Sequence, residues 1–109
     1  MPASVSTLGV ISVVAGLAVA LAVVGGAAVA AERLAGTADA AALAAADAAS
    51  GAVSGVPCDE AARVAEAGDA TLRECDVEGL VATITVGGAY GGISFDARSR
   101  AGPPERSSP

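Results

Sequence analysis

The chain has 109 residues, twelve Asp and Glu against six basic side chains, no His and a formal charge of −6. That length holds one small domain, and an acidic chain whose only aromatics are Tyr90 and Phe95 excludes a nucleic-acid binder, which needs a basic surface and stacking platforms. All six basic residues are Arg, and with neither His nor Lys the usual general bases and the Ser–His or Cys–His nucleophile pairs cannot be built.

Residues 1 to 31 carry no charge, and Leu8, Val10, Ile11, Val13, Val14, Leu17, Val19, Leu21, Val23 and Val24 each favour membrane insertion by roughly 0.3–0.6 kcal/mol. As a helix, Leu8 to Ala30 reaches about 34 Å, enough for a hydrocarbon core of about 30 Å. A single spanning helix is therefore expected. The competing reading is a cleaved secretory signal, since Ala28-Val29-Ala30 has the small-x-small form of a leader-peptidase site. The apolar run is longer than the usual signal core, and "MPASVST" has no basic residue, so the retained helix is the reading adopted.

From about Ser6 to Ser50 nothing stops a helix except the Gly25-Gly26 pair, which marks a bend without breaking it. The segment beyond the span, "AERLAGTADAAALAAADAASG", is nearly bare alanine. Projected at about 100° per residue, Glu32, Gly36, Asp39, Leu43, Asp47 and Ser50 fall on one narrow face. With so few side chains longer than a methyl, another helix can approach closely. Ala18, Ala22, Gly26 and Ala30 carry a small-residue ridge through the membrane half, and Gly36, Ala40, Ala44 and Ala48 carry it beyond. Glu32, Arg33, Asp39 and Asp47 are the charges available for contacts between subunits. Neither Asp39 nor Asp47 has a basic residue three or four positions away, so a cation for either must come from elsewhere. The bland alternative is that both are simply hydrated.

"GAVSGVP" (Gly51 to Pro57) reads as a break. "CDEAARVAEAG" follows as a short second helix, with Asp59 and Glu60 in its first turn, an Asp59–Arg63 pair, Gly68 as C-cap, and Cys58, Ala61, Ala62 and Ala65 on one face. "TLRECDV" and "LVATITV" read as strands joined by a Glu78-Gly79 turn, which sets Val77 opposite Leu80 and Cys75 opposite Ala82. That register puts Cys75, Val77, Leu80, Ala82, Ile84 and Val86 on one apolar face. "GGAYGG" (Gly87 to Gly92) is a turn into a third strand, "ISFDARS", with Ile93, Phe95 and Ala97 inward. The tail "RAGPPERSSP" is expected to be disordered.

Cys58 and Cys75 are the only cysteines, are not a C-x-x-C, and have no His to complete a zinc site. A structural disulfide is the economical assignment, which places the C-terminal part outside the cytoplasm; the alternative is two free, buried thiols. Closing that loop contributes roughly 3 kcal/mol to a head that is otherwise thin in core. "GGAYGG" is not a phosphate loop, because no Gly-Lys-Ser/Thr follows it, and the carboxylates from Asp59 to Glu78 do not follow a calcium-loop pattern. No enzyme, cofactor, metal site or small-molecule substrate is expected.

The chain is thus expected to be α+β: a transmembrane and extended alanine-rich helix over 1–51, a small extracytoplasmic head with a short helix and a three-stranded antiparallel sheet over 52–100, and a tail over 101–109. This architecture resembles that of type IV pilins and pseudopilins. The run "AGTADAAALAAADAASG", a cysteine opening a short helix, a second cysteine in the first strand, alternating "LVATITV" and a closing "ARSRAGP" resemble the TadE-like family of high-GC bacteria, encoded beside a helicase gene and the secretion-ATPase genes of tight-adherence (Tad) pili. The resemblance spans nearly the whole chain. It implies a minor pilin-like subunit or assembly factor, single-pass in the cytoplasmic membrane with its head outside the cytoplasm, whose partners are other pilin-like subunits and a secretion platform. One departure is that prepilins usually carry a Glu five residues into the mature helix, whereas no Glu precedes Glu32 here. The second function class is a membrane-tethered or secreted binding module that uses the helix as a stalk.

Overall fold

The computed structural model describes residues 2–104. Its elements are two helices, α1 (Pro2–Ser50) and α2 (Pro57–Ala67), then three strands, β1 (Thr71–Glu78), β2 (Val81–Tyr90) and β3 (Ile93–Ala101), in one antiparallel sheet of order β1-β2-β3. The fold is α+β, as the sequence led us to expect. Two compact units divide the chain between Ala30 and Ala31, so the second half of α1 belongs with the head.

Helix α1 runs for 49 residues. Pro2 stands at its first turn, where a missing N–H costs nothing, and no later residue before Ser50 is a proline. The hydroxyls of the apolar part are satisfied within the helix: Thr7 Oγ1 donates to the Ala3 carbonyl and Ser12 Oγ to that of Leu8, both at 2.9 Å. In the first unit no side chain of residues 3–30 is buried; Leu8, Ile11, Leu17, Leu21 and Val24 all stand open. A helix that is apolar all round and uncovered is soluble only in something equally apolar. By length and composition it is the one helix among the described residues able to cross a membrane. At the other end Gly51 takes φ 81°, its N–H donates to the Ala48 carbonyl (3.2 Å) and the Val53 N–H donates to that of Asp47 (3.3 Å). These bonds satisfy end carbonyls in a conformation that glycine adopts without penalty.

In the second unit both helices lie on one face of the sheet. Strand β2 is central and presents Ala82, Ile84 and Val86, all fully buried, with Cys75, Val77, Phe95, Ala97 and Ala101 half-buried beside them. Leu34, Ala38, Ala41, Ala42 and Ala45 of α1, Ala61 and Ala65 of α2, and Ala70 just ahead of β1 complete the core. The α2 face holds as expected, Pro57 occupies its first turn, and Gly68 is its C-cap. Its ion pair differs: Arg63 bonds Glu60 at i,i+3 (3.2 Å) instead of Asp59. Glu60 is the longer carboxylate and is held low on the helix beside Gly55, where a Cβ would meet its Oε1 at 2.8 Å.

Two turns depart from the sequence reading. The first hairpin turns at Gly79-Leu80, one residue later than Glu78-Gly79, so Cys75 pairs with Ile84 and Val77 with Ala82. Gly79 has φ 60° and occupies the first loop position, which a type II′ turn reserves for glycine. The slip moves each partner by two residues, an even number, and so keeps Cys75 and Val77 on the inward face; only Leu80 leaves it, into the turn, 49% exposed. "GGAYGG" is mostly strand. Gly87 to Tyr90 pair with Asp96 to Ile93, and the chain reverses at Gly91-Gly92, with φ of 59° and 80°, the left-handed pair that a type I′ turn requires. Strand β3 runs on to Ala101, which pairs with Ala82; Ile93 shares the face of Phe95 and Ala97 as expected, but lies at the open end of the sheet, where it is 72% exposed. Of the expected tail, Gly102 to Pro104 are exposed, and 105–109 lie outside the described residues.

Cys58 at the start of α2 and Cys75 in β1 form a disulfide with a Cα–Cα distance of 5.9 Å across a separation of 17 residues. A loop of that length contributes about 3 kcal/mol. The Cys58→Ser, Cys75→Ser double variant is accordingly expected to lose about 3 kcal/mol of unfolding free energy and to unfold at a lower denaturant concentration, measured on the full chain in detergent; equal midpoints for the two proteins contradict a structural role.

Candidate functional site

The candidate surface is α1 beyond residue 30, which serves the core on one side and is exposed on the other. Its inward face is spaced 34, 38, 41, 42, 45, which is one helical stripe. Four of these five residues are alanines, whose methyl groups are fully buried in the core shared with the sheet. Two glycines mark points of close approach. A Cβ at Gly88 would touch Leu34 Cδ1 at 3.3 Å, and one at Gly68 would meet Thr37 Oγ1 at 2.5 Å. The opposite face is the one carrying charge: Glu32, Gly36, Asp39, Leu43, Asp47 and Ser50 are all exposed.

The small-residue positions read from the sequence are divided by this arrangement. Gly36 and Ala40 are exposed and Ala44 and Ala48 half-buried. In the first unit Ala18 and Ala22 are exposed and Gly26 and Ala30 partly covered. Gly36 and Ala40 line an open groove of about 460 Å³ between α1 and α2, together with Arg33, Thr37, Val64 and Gly68. A second open groove, about 280 Å³, lies where Leu43, Asp47 and Ser50 of α1 meet Leu80 and Pro103. Both are shallow and mainly apolar, shapes that accept another protein surface rather than an enclosed small molecule.

Of the four charges, Glu32 and Arg33 stand exposed. Asp39 receives a hydrogen bond from Ser99 Oγ of β3 at 2.5 Å, so its partner comes from elsewhere in the chain, as the spacing requires, but is a hydroxyl and not a cation. Asp47 uses its carbonyl, accepting from Ser50 Oγ at 3.1 Å as well as from Val53. Among the described residues no group of three or more His, Cys, Asp or Glu is placed to hold a metal ion. Three contacts were not read from the sequence: the 34/38/41/42/45 stripe, Ser99 with Asp39, and Arg73 with Asp96. For the stripe a signal existed. Leu34 is the one long apolar side chain of residues 31–50 lying off the charged face.

No family model, curated protein or solved structure matches the chain.

Bulk distinguishes the two faces of α1. Ala45→Leu forces a branched side chain into a fully buried position and is expected to destabilise the head by about 1–3 kcal/mol. Ala40→Leu, on the exposed face, is expected to change stability by no more than about 0.5 kcal/mol. Denaturant unfolding of the two variants side by side checks the contrast, and equal effects would show that the inward face is not the packed one.

Proposed function

We propose that this chain is a minor pilin-like structural subunit or assembly factor of a Tad-type pilus or secretion apparatus, acting by helix packing. One observation carries the reading: a single helix has no buried side chain over the apolar residues 3–30, and its continuation supplies the inner stripe of a small disulfide-closed head. A helix needed only as an anchor has no reason to keep a small-residue strip beside the charges on its exposed side as well. Here Gly36 and Ala40 present backbone to an open groove, leaving room for a neighbour at van der Waals distance. The motif resemblance to TadE-like proteins points the same way, and the disulfide supports a head on the oxidising side of the cytoplasmic membrane.

Single cysteines at Gly36 and Ala40 are expected to crosslink, in cells, to a second copy or to a neighbouring pilin-like or platform protein. Leucine at the same two positions is expected to reduce crosslinking from a cysteine at Ala44 by tenfold or more without unfolding the head. A chain that stays monomeric under these conditions would instead be a tethered binding module on a stalk. Compartment has its own measurement: protease added to spheroplasts with sealed membranes should digest the head, and protection of the head until the cells are lysed would contradict the topology.

A further inference from the structure

The face of the sheet turned away from the helices is sorted by charge. Inward positions alternate with outward ones, and outward along β1 stand Glu74, Asp76 and Glu78, all exposed. Outward along β3 stand Asp96, Arg98 and Arg100, also exposed. Pairing aligns them in rows: Asp76, Thr83 and Arg100 in one, Glu74, Thr85 and Arg98 in the next. The third row is already neutralised. Arg73, displaced at the register shift between Leu72 and Glu74, reaches across β2 to Asp96, with Nε 2.8 Å from Oδ1. Gly87 keeps that path open, since a Cβ there would overlap the Arg73 guanidinium. What remains is an acidic edge strand on one side of the sheet and a basic one on the other.

Charges on edge strands ordinarily keep sheets from pairing edge to edge, and either sign, or a mixture, serves that purpose. Segregation by sign is the part this explanation leaves over. Like edges of two copies repel, whereas unlike edges attract. We infer that heads of this chain associate side by side, with the acidic β1 edge of one copy against the basic β3 edge of a second copy, Glu74 and Asp76 facing Arg98 and Arg100. Arg100 already has an interaction within its own chain, so Arg98 carries the larger share. Such a contact is heterologous: it does not close on itself but repeats as a row or helix of subunits. Exposed ion pairs are individually weak, and copies confined to one membrane need only weak pairs, because confinement raises their effective concentration. The inference rests on the pilin-like reading, which supplies many copies in one membrane, and it deepens that reading by naming the partner and the edge it uses.

The test places a photoreactive benzophenone residue at Glu78 of the full chain in native membranes. Irradiation is expected to give a dimer whose linked peptide lies within β3. The R98E/R100E variant should lower its yield at least fivefold, further E74R/D76R changes should restore it to within twofold, and 0.5 M salt should lower the wild-type yield. All four positions are exposed, so the variants should keep the Cys58–Cys75 disulfide and a cooperatively folded head, and R98E alone, which leaves the interaction of Arg100 in place, should keep the wild-type unfolding midpoint. Adducts that are absent, insensitive to charge reversal, or formed with a different protein overturn the inference. If cysteines at Gly36 and Ala40 still crosslink while β1–β3 adducts fail, the edge contact alone is wrong; if neither forms, the pilin-like reading falls with it.

Discussion

The structure depends on one contact, the seating of a methyl-only stripe of α1 on the central strand β2. Ala38, Ala41, Ala42 and Ala45 are completely buried against a strand whose Ala82, Ile84 and Val86 are equally buried. Most of the residues in this core are alanines, which bring little apolar area each, so stabilisation per residue is low and is spread along the whole stripe. The glycines at 68 and 88 sit where α1 draws near. Low stabilisation per residue also explains why a covalent tie joins α2 to β1: a head of this size with so thin a core is the kind that needs a staple.

The same economy makes α1 suitable for two tasks. The stripe that serves the head occupies one side of residues 31–50, and the charged, small-residue side is left bare. Had the head been built on Leu and Ile from α1, its packing would tolerate more separation, and the exposed side would be screened by longer neighbouring side chains. Stripping the helix to methyl groups lets one short segment act as core on one flank and offer near-backbone contact on the other. The groove bounded by Gly36 and Ala40 is the result of that choice.

Legibility in the sequence followed the strength of periodic signals. Alternation in "LVATITV" identifies the inward face of β2 whatever the exact turn, because a two-residue slip preserves side; the register itself depended on whether Gly79 opened or closed the loop, which composition does not decide. Alanine carries no comparable information. Any side of an all-alanine helix is an equally good candidate for burial, so only the charges at Glu32, Asp39 and Asp47, by excluding their own flank, and Leu34, by its size, indicated which side faced the sheet. The glycines of "GGAYGG" misled for a tertiary reason. Gly87 and Gly88 are bare because Arg73 and Leu34 pass over them, while only Gly91 and Gly92 are bare for the sake of the turn.

Polar side chains reinforce this division of labour. Ser99 reaches inward from β3 to Asp39, on the margin between the buried and charged sides of α1, and Arg73 reaches outward over β2 to Asp96. One contact ties the helix to the strand farthest from α2, and the other ties the two edge strands to each other. Together with the disulfide they connect each edge of the sheet to a helix and to the opposite edge, so a lateral load applied to either edge strand is shared by the whole head. These ties add to the hydrogen bonds to β2 and to the core packing of Cys75, Val77, Phe95 and Ala97 that already hold the two edge strands.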